Sequence, residues 1–464
     1  MITFKEPLSK LINHPQKFTR GLKFPKPEQI KIYDDTLRDG EQMPGVAFTP
    51  EQKLLLAKFL SSLGVDVMDV AFPINGLSDQ KALQLIVQAQ KRGEIRPEIE
   101  ILALCRSNSK DIDIVVDTLA EIGAKPNDVS VLILSTFSDL HIKYKLGKTL
   151  LKREGRDLSQ WIETPLAVYQ KANTELITEA IKYAKSRGID RIEFASEDSS
   201  RGNLDYGLRW AKACVKAGGT RMCFSDTCGV FTPESVDYYI PPMIEALDGV
   251  PMTAHFHNDF GLGAINTVRA LSWGATYAGV TANGIGERAG NTSIHQMVMV
   301  LKELYGITLP NFKYDKLVEL RKLIERYSGI PIQVHEPIIG EGVFAHESGI
   351  HTAAIVIHPA IYQFIAEEVV GGKRQFIFGK HSGSAAVEAV LQGNEKLLKS
   401  KGIKIIPELA QKLLEKVKTI REAKNNDFQE QIDLYYKNYK NLGIPEEELI
   451  KMALEEYEIQ PNLS

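Results

Sequence analysis

The feature that most constrains the fold is a regular alternation of short apolar runs and longer amphipathic stretches, which begins near residue 30. The inner runs are almost continuously apolar, as is typical of parallel strands covered on both faces. We predict strands at 30–37, 67–72, 99–105, 129–135, 191–195, 222–225, 252–257 and 277–282. Between them, segments such as 50–63 carry apolar residues at helical spacing and end at a glycine, here Gly64.

Eight such strand–helix units predict an α/β fold, a closed (β/α)8 TIM barrel. The alternative is an open doubly wound sheet, which normally carries a glycine-rich phosphate loop after its first strand. Charged residues stand at that position here, in the run Arg38-Asp39-Gly40-Glu41. The pattern therefore favours the barrel.

The alternation stops near residue 310, and a smaller, mostly helical C-terminal region is expected to follow the barrel. A helix is predicted at 315–327, and two or three amphipathic helices between 405 and 457. The predicted organisation is an N-terminal arm at 1–29, a barrel at 30–310, a linking subdomain at 311–390 and a helical subdomain at 391–464.

The composition excludes several classes of protein. Hydrophobic residues make up 44% and charged residues 25% of 464, which argues against disorder. A net charge of -3 leaves no basic footprint for nucleic acid or anionic lipid. No apolar run approaches the roughly 20 residues needed to span a bilayer, and the N-terminus lacks a signal-peptide core. Four cysteines without CxxC spacing predict free thiols, so we expect a cytoplasmic protein.

A polar cluster follows the first predicted strand, in the run Asp-Asp-Thr-Leu-Arg-Asp-Gly-Glu-Gln at 34–42. Catalytic residues of a barrel gather at the carboxyl ends of its strands, where the βα loops meet. A helix cap with a surface ion pair is the simpler explanation of this run. Seven polar residues in nine, well before the helix at Pro50, favour a functional site instead.

A second cluster ends the seventh predicted strand, in Ala-His-Phe-His-Asn-Asp at 254–259. Residues two apart on a strand point to the same face, so His255 and His257 both face the barrel mouth. Two imidazoles with the carboxylate of Asp39 form a suitable set of ligands for one divalent cation. This pattern predicts a metal site.

Three further loops at the same end are weaker signals. The glycine-rich run 283–291 follows the eighth strand and offers asparagine oxygens beside the histidine pair. Glu197 follows the fifth strand, although Asp198 and Ser199 beside it suit a helix cap equally well. Thr227 ends the sixth strand and suits either a substrate carboxylate or a turn.

Together these motifs resemble the family that contains 2-isopropylmalate, homocitrate, citramalate and Re-type citrate synthases, with hydroxymethylglutaryl-CoA lyase as a distant member. The resemblance covers nearly the whole chain and rests on five motifs in order. They are 35–42 (DTLRDGEQ), 255–259 (HxHND), 284–291 (GxGERxGN), 344–351 (FAHESGIH) and 379–383 (GKHSG).

The resemblance implies an acyltransferase of amino-acid biosynthesis that condenses acetyl-CoA with a 2-oxo acid. It implies a divalent metal ion, Mg, Mn or Zn. The implied ligands are Asp39, His255 and His257, with Asn291 as a weaker or water-bridged fourth. It also implies a homodimer that exchanges post-barrel segments between subunits.

Particular roles follow from the same resemblance. Arg38 would lie beside the ketone oxygen, and Thr227 would bind the carboxylate of the 2-oxo acid. His351 of the partner subunit would pair with Glu197 and help to remove a proton from the methyl group of acetyl-CoA. Tyr362 would lie nearby in the same post-barrel segment.

Gln42 and Arg106 are further candidate substrate contacts, and Lys143 and Lys145 join Arg106 as cations that a second substrate carboxylate would need. The 2-oxo acid itself stays open among isopropylmalate-, homocitrate-, citramalate- and benzylmalate-type reactions. An acyl-CoA lyase on the same barrel is the rival of another class, against which the post-barrel motifs argue. A leucine-binding regulatory domain, and with it feedback inhibition by leucine, is not expected.

The chain also departs from the family pattern. Thr-Ala-Ala at 352–354 stands where relatives carry x-Asp-Gly, Ala195 where many carry Ser, and Ser384 where they carry Arg. None of these positions belongs to the predicted metal site. The departures therefore bear on substrate and CoA contacts.

Overall fold

The computed structural model describes residues 8–423 and 427–459. Eight parallel strands form a closed barrel in chain order, and β1 pairs with both β2 and β8. The strands are β1 Lys31–Asp34, β2 Val67–Ala71, β3 Glu100–Arg106, β4 Ser130–Thr136, β5 Ile192–Glu197, β6 Arg221–Asp226, β7 Met252–Phe256 and β8 Tyr277–Val280. The predicted fold class is confirmed, and every predicted strand overlaps an observed one.

Helices separate the strands and continue after the barrel. They are α1 Leu8–Leu11, α2 Pro50–Leu63, α3 Leu77–Lys91, α4 Ser109–Ala120, α5 Gly147–Arg153, α6 Leu166–Ser186, α7 Leu204–Ala217, α8 Pro233–Ala246, α9 Gly263–Ser272, α10 Ile294–Met299, α11 Leu317–Ser328, α12 Gly349–Ile357, α13 Ser384–Gly393, α14 Glu395–Ser400, α15 Pro407–Glu422, α16 Gln429–Lys440 and α17 Glu446–Ile459. Two short strands, β9 Ala345–His346 and β10 Gln375–Phe376, form a separate parallel pair.

Helix α2 shows how local sequence sets these bounds. The Thr49 side chain accepts a hydrogen bond from the Gln52 backbone N–H, and Gln52 Oε1 accepts one from the Thr49 backbone N–H, so both bonds of a capping box are present. Pro50 occupies the first turn, where no backbone N–H is needed. The helix ends at Gly64, whose φ of 111° is left-handed and where a Cβ would lie 2.3 Å from the carbonyl oxygen of Asn311. Only glycine fits this close approach.

The amino end of the barrel interior is closed by a buried ionic layer. The Arg221 guanidinium contacts Glu100 at 2.8 Å and Glu193 at 2.9 Å. It also stacks on the rings of Tyr33 and Tyr277, at 5.4 and 4.6 Å from their centroids. The buried charges are therefore paired, which a barrel interior requires.

An apolar layer lies toward the carboxyl end, made of Leu102, Leu104, Leu132, Ala195 and Cys223 with their neighbours. Because this layer ends where the polar strand termini begin, it forms the floor of the barrel mouth. The site described below stands on this floor.

The chain divides into two compact units. One comprises residues 18–313 and 323–329 and contains the barrel. The other comprises, among the described residues, 8–17, 314–322, 330–423 and 427–459, and in it Val387 packs against Ala410 and Leu414. The described residues contain no helix long and apolar enough to cross a membrane.

Candidate active site

Three side chains with metal-binding atoms converge at the carboxyl end of the barrel. Asp39 lies in the loop after β1, while His255 stands on β7 and His257 directly follows it. The Asp39 Oδ2 atom lies 3.3 Å from His255 Nε2 and 3.8 Å from His257 Nε2, and the two imidazole nitrogens are 3.4 Å apart. All three residues are buried. The predicted cluster is thus assembled in space.

A carboxylate behind the cluster orients one of the imidazoles. His255 Nδ1 lies 2.9 Å from Asp35 Oδ2, so this nitrogen donates to the carboxylate of Asp35, while Nε2 faces Asp39. Burial disfavours a charge on His255, but the carboxylates of Asp35 and Asp39 outweigh it and raise its pKa to about 10. Burial and the charge on His255 lower the pKa of His257 to about 4.

The donor atoms fit a divalent cation. Two imidazole nitrogens and a carboxylate suit Mg, Mn or Zn. Burial would raise the pKa of Asp39, but the Arg38 charge and the two histidines outweigh it and hold that pKa well below its ordinary value. Asn291 is bridged to His257 through the backbone, and its Nδ2 donates to Asp39 Oδ2 at 2.6 Å. Its Oδ1 is buried without a hydrogen-bond partner among the described residues. A cation beside Asp39 would supply the partner that this oxygen lacks.

Arg38 lies next to this cluster inside a ring of carboxylates. Its guanidinium contacts Asp69 at 2.6 Å, Asp35 at 3.1 Å and Asp39 at 3.4 Å. These charges outweigh burial and keep the pKa of Arg38 well above its ordinary value. The arginine is therefore charged and held in one orientation.

The cluster opens into a cavity of about 240 Å³. Seven of the predicted site residues line it, namely Arg38, Asp39, Gln42, Glu197, Thr227, His255 and His257. One wall is apolar and consists of Phe72, Leu104, Leu132, Leu134, Ala195 and Cys223. The mouth thus combines a cation-binding corner with an apolar wall.

Glu197 is held by His141, which the sequence did not indicate, and by Lys145, which was expected to meet a substrate carboxylate instead. Its Oε2 lies 3.4 Å from His141 Nδ1 and accepts a hydrogen bond from Lys145 Nζ. Burial raises the pKa of Glu197, but the contacts with His141 and Lys145 outweigh it and bring the pKa to about 2. Glu197 is consequently an anion over the whole physiological range of pH.

Three residues important to this geometry were not among the predicted site residues. Asp35 belongs to a quoted motif, but its role behind His255 depends on barrel closure. Asp69 offered a signal, because it is a charged residue inside the apolar run Val-Met-Asp-Val-Ala of β2. His141 follows β4 in a short turn and had no distinguishing pattern.

Three predicted residues lie elsewhere. Arg106 makes a bidentate pair with Asp111, with both bonds at 2.9 Å, and its side chain is 56% exposed. It does not line the cavity. His351 and Tyr362 lie in the second compact unit, both exposed, with ring centroids 4.3 Å apart.

Fold and site together define a TIM barrel with a candidate site for a divalent metal ion at the carboxyl end of its strands. Residues 29–156 and 158–324 match the HMGL-like family, and residues 338–425 match the homocitrate synthase post-HMGL domain-like family. The chain belongs to the HMGL-like family, in the group of 2-isopropylmalate and homocitrate synthases.

Relatives from archaea extend over most of the chain. The 2-isopropylmalate synthase of Methanocaldococcus jannaschii is 38% identical over 79% of this chain, and the match spans 64% of that protein. The 2-isopropylmalate synthase of Sulfurisphaera tokodaii is 33% identical over 85% of this chain and 92% of its own length. A protein of Archaeoglobus fulgidus assigned to (R)-citramalate synthase is 38% identical over 84% of this chain and 71% of its own length.

A likeness among solved structures concerns the fold alone. The HMG-CoA lyase from Acenitobacter baumannii superposes with a TM-score of 0.51 at 19% identity. The superposition covers 66% of this chain and 94% of the lyase chain.

Proposed function

We propose that this protein is an acyltransferase of the 2-isopropylmalate synthase type, which condenses acetyl-CoA with a 2-oxo acid and hydrolyses the resulting thioester. The observation that carries the proposal is the cavity in which Asp39, His255 and His257 adjoin Arg38 and an apolar wall. The archaeal relatives support it. The post-HMGL match over residues 338–425 favours condensation over the lyase reaction.

The carboxyl end of the barrel would activate the acceptor. A divalent cation, Mg, Mn or Zn, held by Asp39, His255 and His257 with Asn291 as fourth contact, would polarise the ketone as a Lewis acid. Arg38 would donate to the ketone oxygen and stabilise the alkoxide that develops there. Because three carboxylates hold its guanidinium, no reorganisation is needed during the reaction.

The donor is activated by proton removal. His351 of the partner subunit, with Tyr362 beside it, would take a proton from the acetyl-CoA methyl group, a step worth about 10²–10⁴-fold. Glu197 stays ionised and would stabilise the protonated imidazole, since a carboxylate with a pKa near 2 is itself a poor base.

Bond formation and release follow in a balanced sequence. The methyl carbon forms a bond to the keto carbon, and the alkoxide takes up a proton. Water then attacks the thioester carbonyl, the C–S bond breaks, and CoA leaves as a thiol. The product is a 2-substituted malate.

The apolar wall supports a 2-oxo acid with an apolar side chain. The arginine and lysine side chains that line the cavity, among the described residues, are Arg38 and Arg288, and both are already paired with carboxylates. Arg106 and Lys145, considered for a second carboxylate, are paired with Asp111 and Glu197. We therefore place 2-oxoisovalerate first, with pyruvate as the alternative that the Archaeoglobus relative suggests.

The assay is thiol release from acetyl-CoA with Mg²⁺ or Mn²⁺ and a panel of 2-oxoisovalerate, pyruvate, 2-oxoglutarate, oxaloacetate and phenylpyruvate. We expect an apolar 2-oxo acid to be the best substrate, and no thiol without one. Thiol release without an acceptor, or silence across the panel with metal bound, would overturn the proposal. His351→Ala should lose activity at least about 100-fold, while the exposed His335→Ala serves as its control.

The exchange of segments between the subunits of a cytoplasmic homodimer is part of the proposal. Separate Glu197→Gln and His351→Ala variants should each be nearly inactive. Mixed and refolded together, they should regain about a quarter of the wild-type activity, because half of the dimers then hold one intact site. No recovery from a mixture that forms dimers would contradict exchange.

A further inference from the structure

A single guanidinium ties together the loops that follow three neighbouring strands. Arg288, after β8, donates from Nε and Nη2 to the two carboxylate oxygens of Asp259, after β7, at 2.9 and 3.1 Å. The same Nη2 donates to the carbonyl oxygen of Thr227, after β6. We name these three residues the mouth latch. Its members Arg288 and Thr227 both line the cavity.

The backbone around the latch is shaped for this contact. Arg288 has a φ of 57°, a left-handed conformation that a residue with a side chain adopts only when its surroundings hold it. Gly229, two residues beyond Thr227, has a φ of 60°, and a Cβ there would lie 2.7 Å from both the backbone nitrogen and Oδ2 of Asp259. Glycine therefore lets the two loops approach, and the ion pair closes them.

The latch fixes a residue whose hydroxyl is set up as a donor. Thr227 Oγ1 accepts a hydrogen bond from the backbone N–H of Asp198 at 2.8 Å. A hydroxyl has one proton, and with this acceptance its own proton remains to be donated elsewhere. Thr227 is thus held at its carbonyl oxygen by Arg288 and at its hydroxyl oxygen by the Asp198 backbone, and it lines the same cavity as His257.

We propose that Arg288, held by Asp259, is a positioning residue that fixes Thr227 so that its hydroxyl donates to the carboxylate of the 2-oxo acid. This inference rests on the proposed function. The Arg288 side chain is 40% exposed, and an ion pair so exposed contributes little to folding stability. Its effect is therefore on the geometry of the carboxylate subsite.

The test is the kinetics of Arg288→Ala with 2-oxoisovalerate and saturating acetyl-CoA and Mn²⁺. We expect KM for the 2-oxo acid to rise about 10-fold, the scale of one lost charge-assisted hydrogen bond, with a much smaller change in kcat. Mn²⁺ affinity should be unchanged, and Arg288→Lys should restore part of the KM. The control is Arg269→Ala, which breaks a similar bidentate pair with Asp237 between helices α8 and α9.

A double variant tests whether Arg288 acts through Thr227. In the Thr227→Ala background, Arg288→Ala should add no further increase in KM, because the hydroxyl that it positions is gone. The positioning role of Arg288 would be refuted by an unchanged KM in Arg288→Ala, by a fall in kcat alone, or by fully additive increases in KM in the double variant. A wild-type enzyme that releases no thiol with any acceptor would overturn the proposed function instead. Titration of the 2-oxo acid into the Mn²⁺-loaded protein separates a failure of the proposed function from a failure of the positioning role of Arg288.

Discussion

Asp35 offers the sharpest test of the metal site, because it touches a ligand without being one. The carboxylate is fully buried, and its Oδ2 lies 2.9 Å from His255 Nδ1. Asp35→Asn keeps the volume but removes the charge that orients the imidazole and increases its basicity. Loss of such a partner typically weakens metal affinity 10–100-fold, or about 1.4–2.7 kcal/mol. We expect that increase in the Kd for Mn²⁺, measured by electron paramagnetic resonance of the free ion without substrate.

The adjacent Asp34→Asn is a matched control. Asp34 is equally buried, but its oxygens accept hydrogen bonds from the Thr36 backbone and hydroxyl, both at 3.0 Å, and touch no metal-site residue. Mn²⁺ binding should therefore stay within about twofold of the wild type. Unchanged affinity in Asp35→Asn, or an equal loss in both variants, would refute the assignment of Asp35 as the partner of His255.

Three further outcomes are expected. Leu134→Ala removes three carbons from the apolar wall, each worth about 0.8 kcal/mol when buried. The ratio of kcat/KM for phenylpyruvate to kcat/KM for 2-oxoisovalerate should therefore rise at least about 10-fold. An unchanged ratio in the thiol assay would show that the wall does not bind the side chain of the 2-oxo acid. Arg221→Met leaves Glu100 and Glu193 buried without their cation and should cost about 3–5 kcal/mol in urea unfolding, and a loss below about 1 kcal/mol would refute the argument. Burial raises the pKa of Asp34 to about 7, so the folded chain holds a proton that the unfolded chain releases near pH 4. Protonation of Asp34 therefore stabilises the fold fully below pH 4, and this contribution is lost as the pH rises through 7. The variant Asp34→Asn should flatten this pH dependence of the unfolding free energy between pH 5 and 8.

The barrel and the metal cluster could be predicted because their signals are local. Strand periodicity places each run, and chain order in a closed barrel then determines which strand ends meet. His255 lies on one strand and His257 directly follows it, while Asp39 follows another strand whose carboxyl end must reach the same mouth. The overrun of the first predicted strand, 30–37 against Lys31–Asp34, arises because Leu37 is buried in the turn that follows β1 and extends the apolar pattern.

The remaining contacts depend on distances that no local pattern encodes. The approach of Asp69 to Arg38 joins residues on different strand ends, and that of His141 to Glu197 depends on the course of a turn 56 residues earlier in the chain. Arg106 illustrates the reverse case. It ends β3, a position from which a substrate contact was expected, but its guanidinium pairs with Asp111 in the first turn of the following helix.

The charges in the mouth explain why metal and arginine belong together. Asp35, Asp39 and Asp69 bring three carboxylates into a buried region, and Arg38 neutralises only one of them. Burial of the other two negative charges is unfavourable. His255, whose pKa is about 10, compensates one of them by holding a proton, and the remaining charge would repel an anionic 2-oxo acid. One divalent cation held by Asp39 and the two histidines would replace the proton of His255 and balance both of the remaining carboxylates, which would leave a neutral site. A 2-oxo acid can then place its carboxylate on the polar side and its side chain on the apolar wall, so the same charge balance that stabilises the loaded site also admits the substrate.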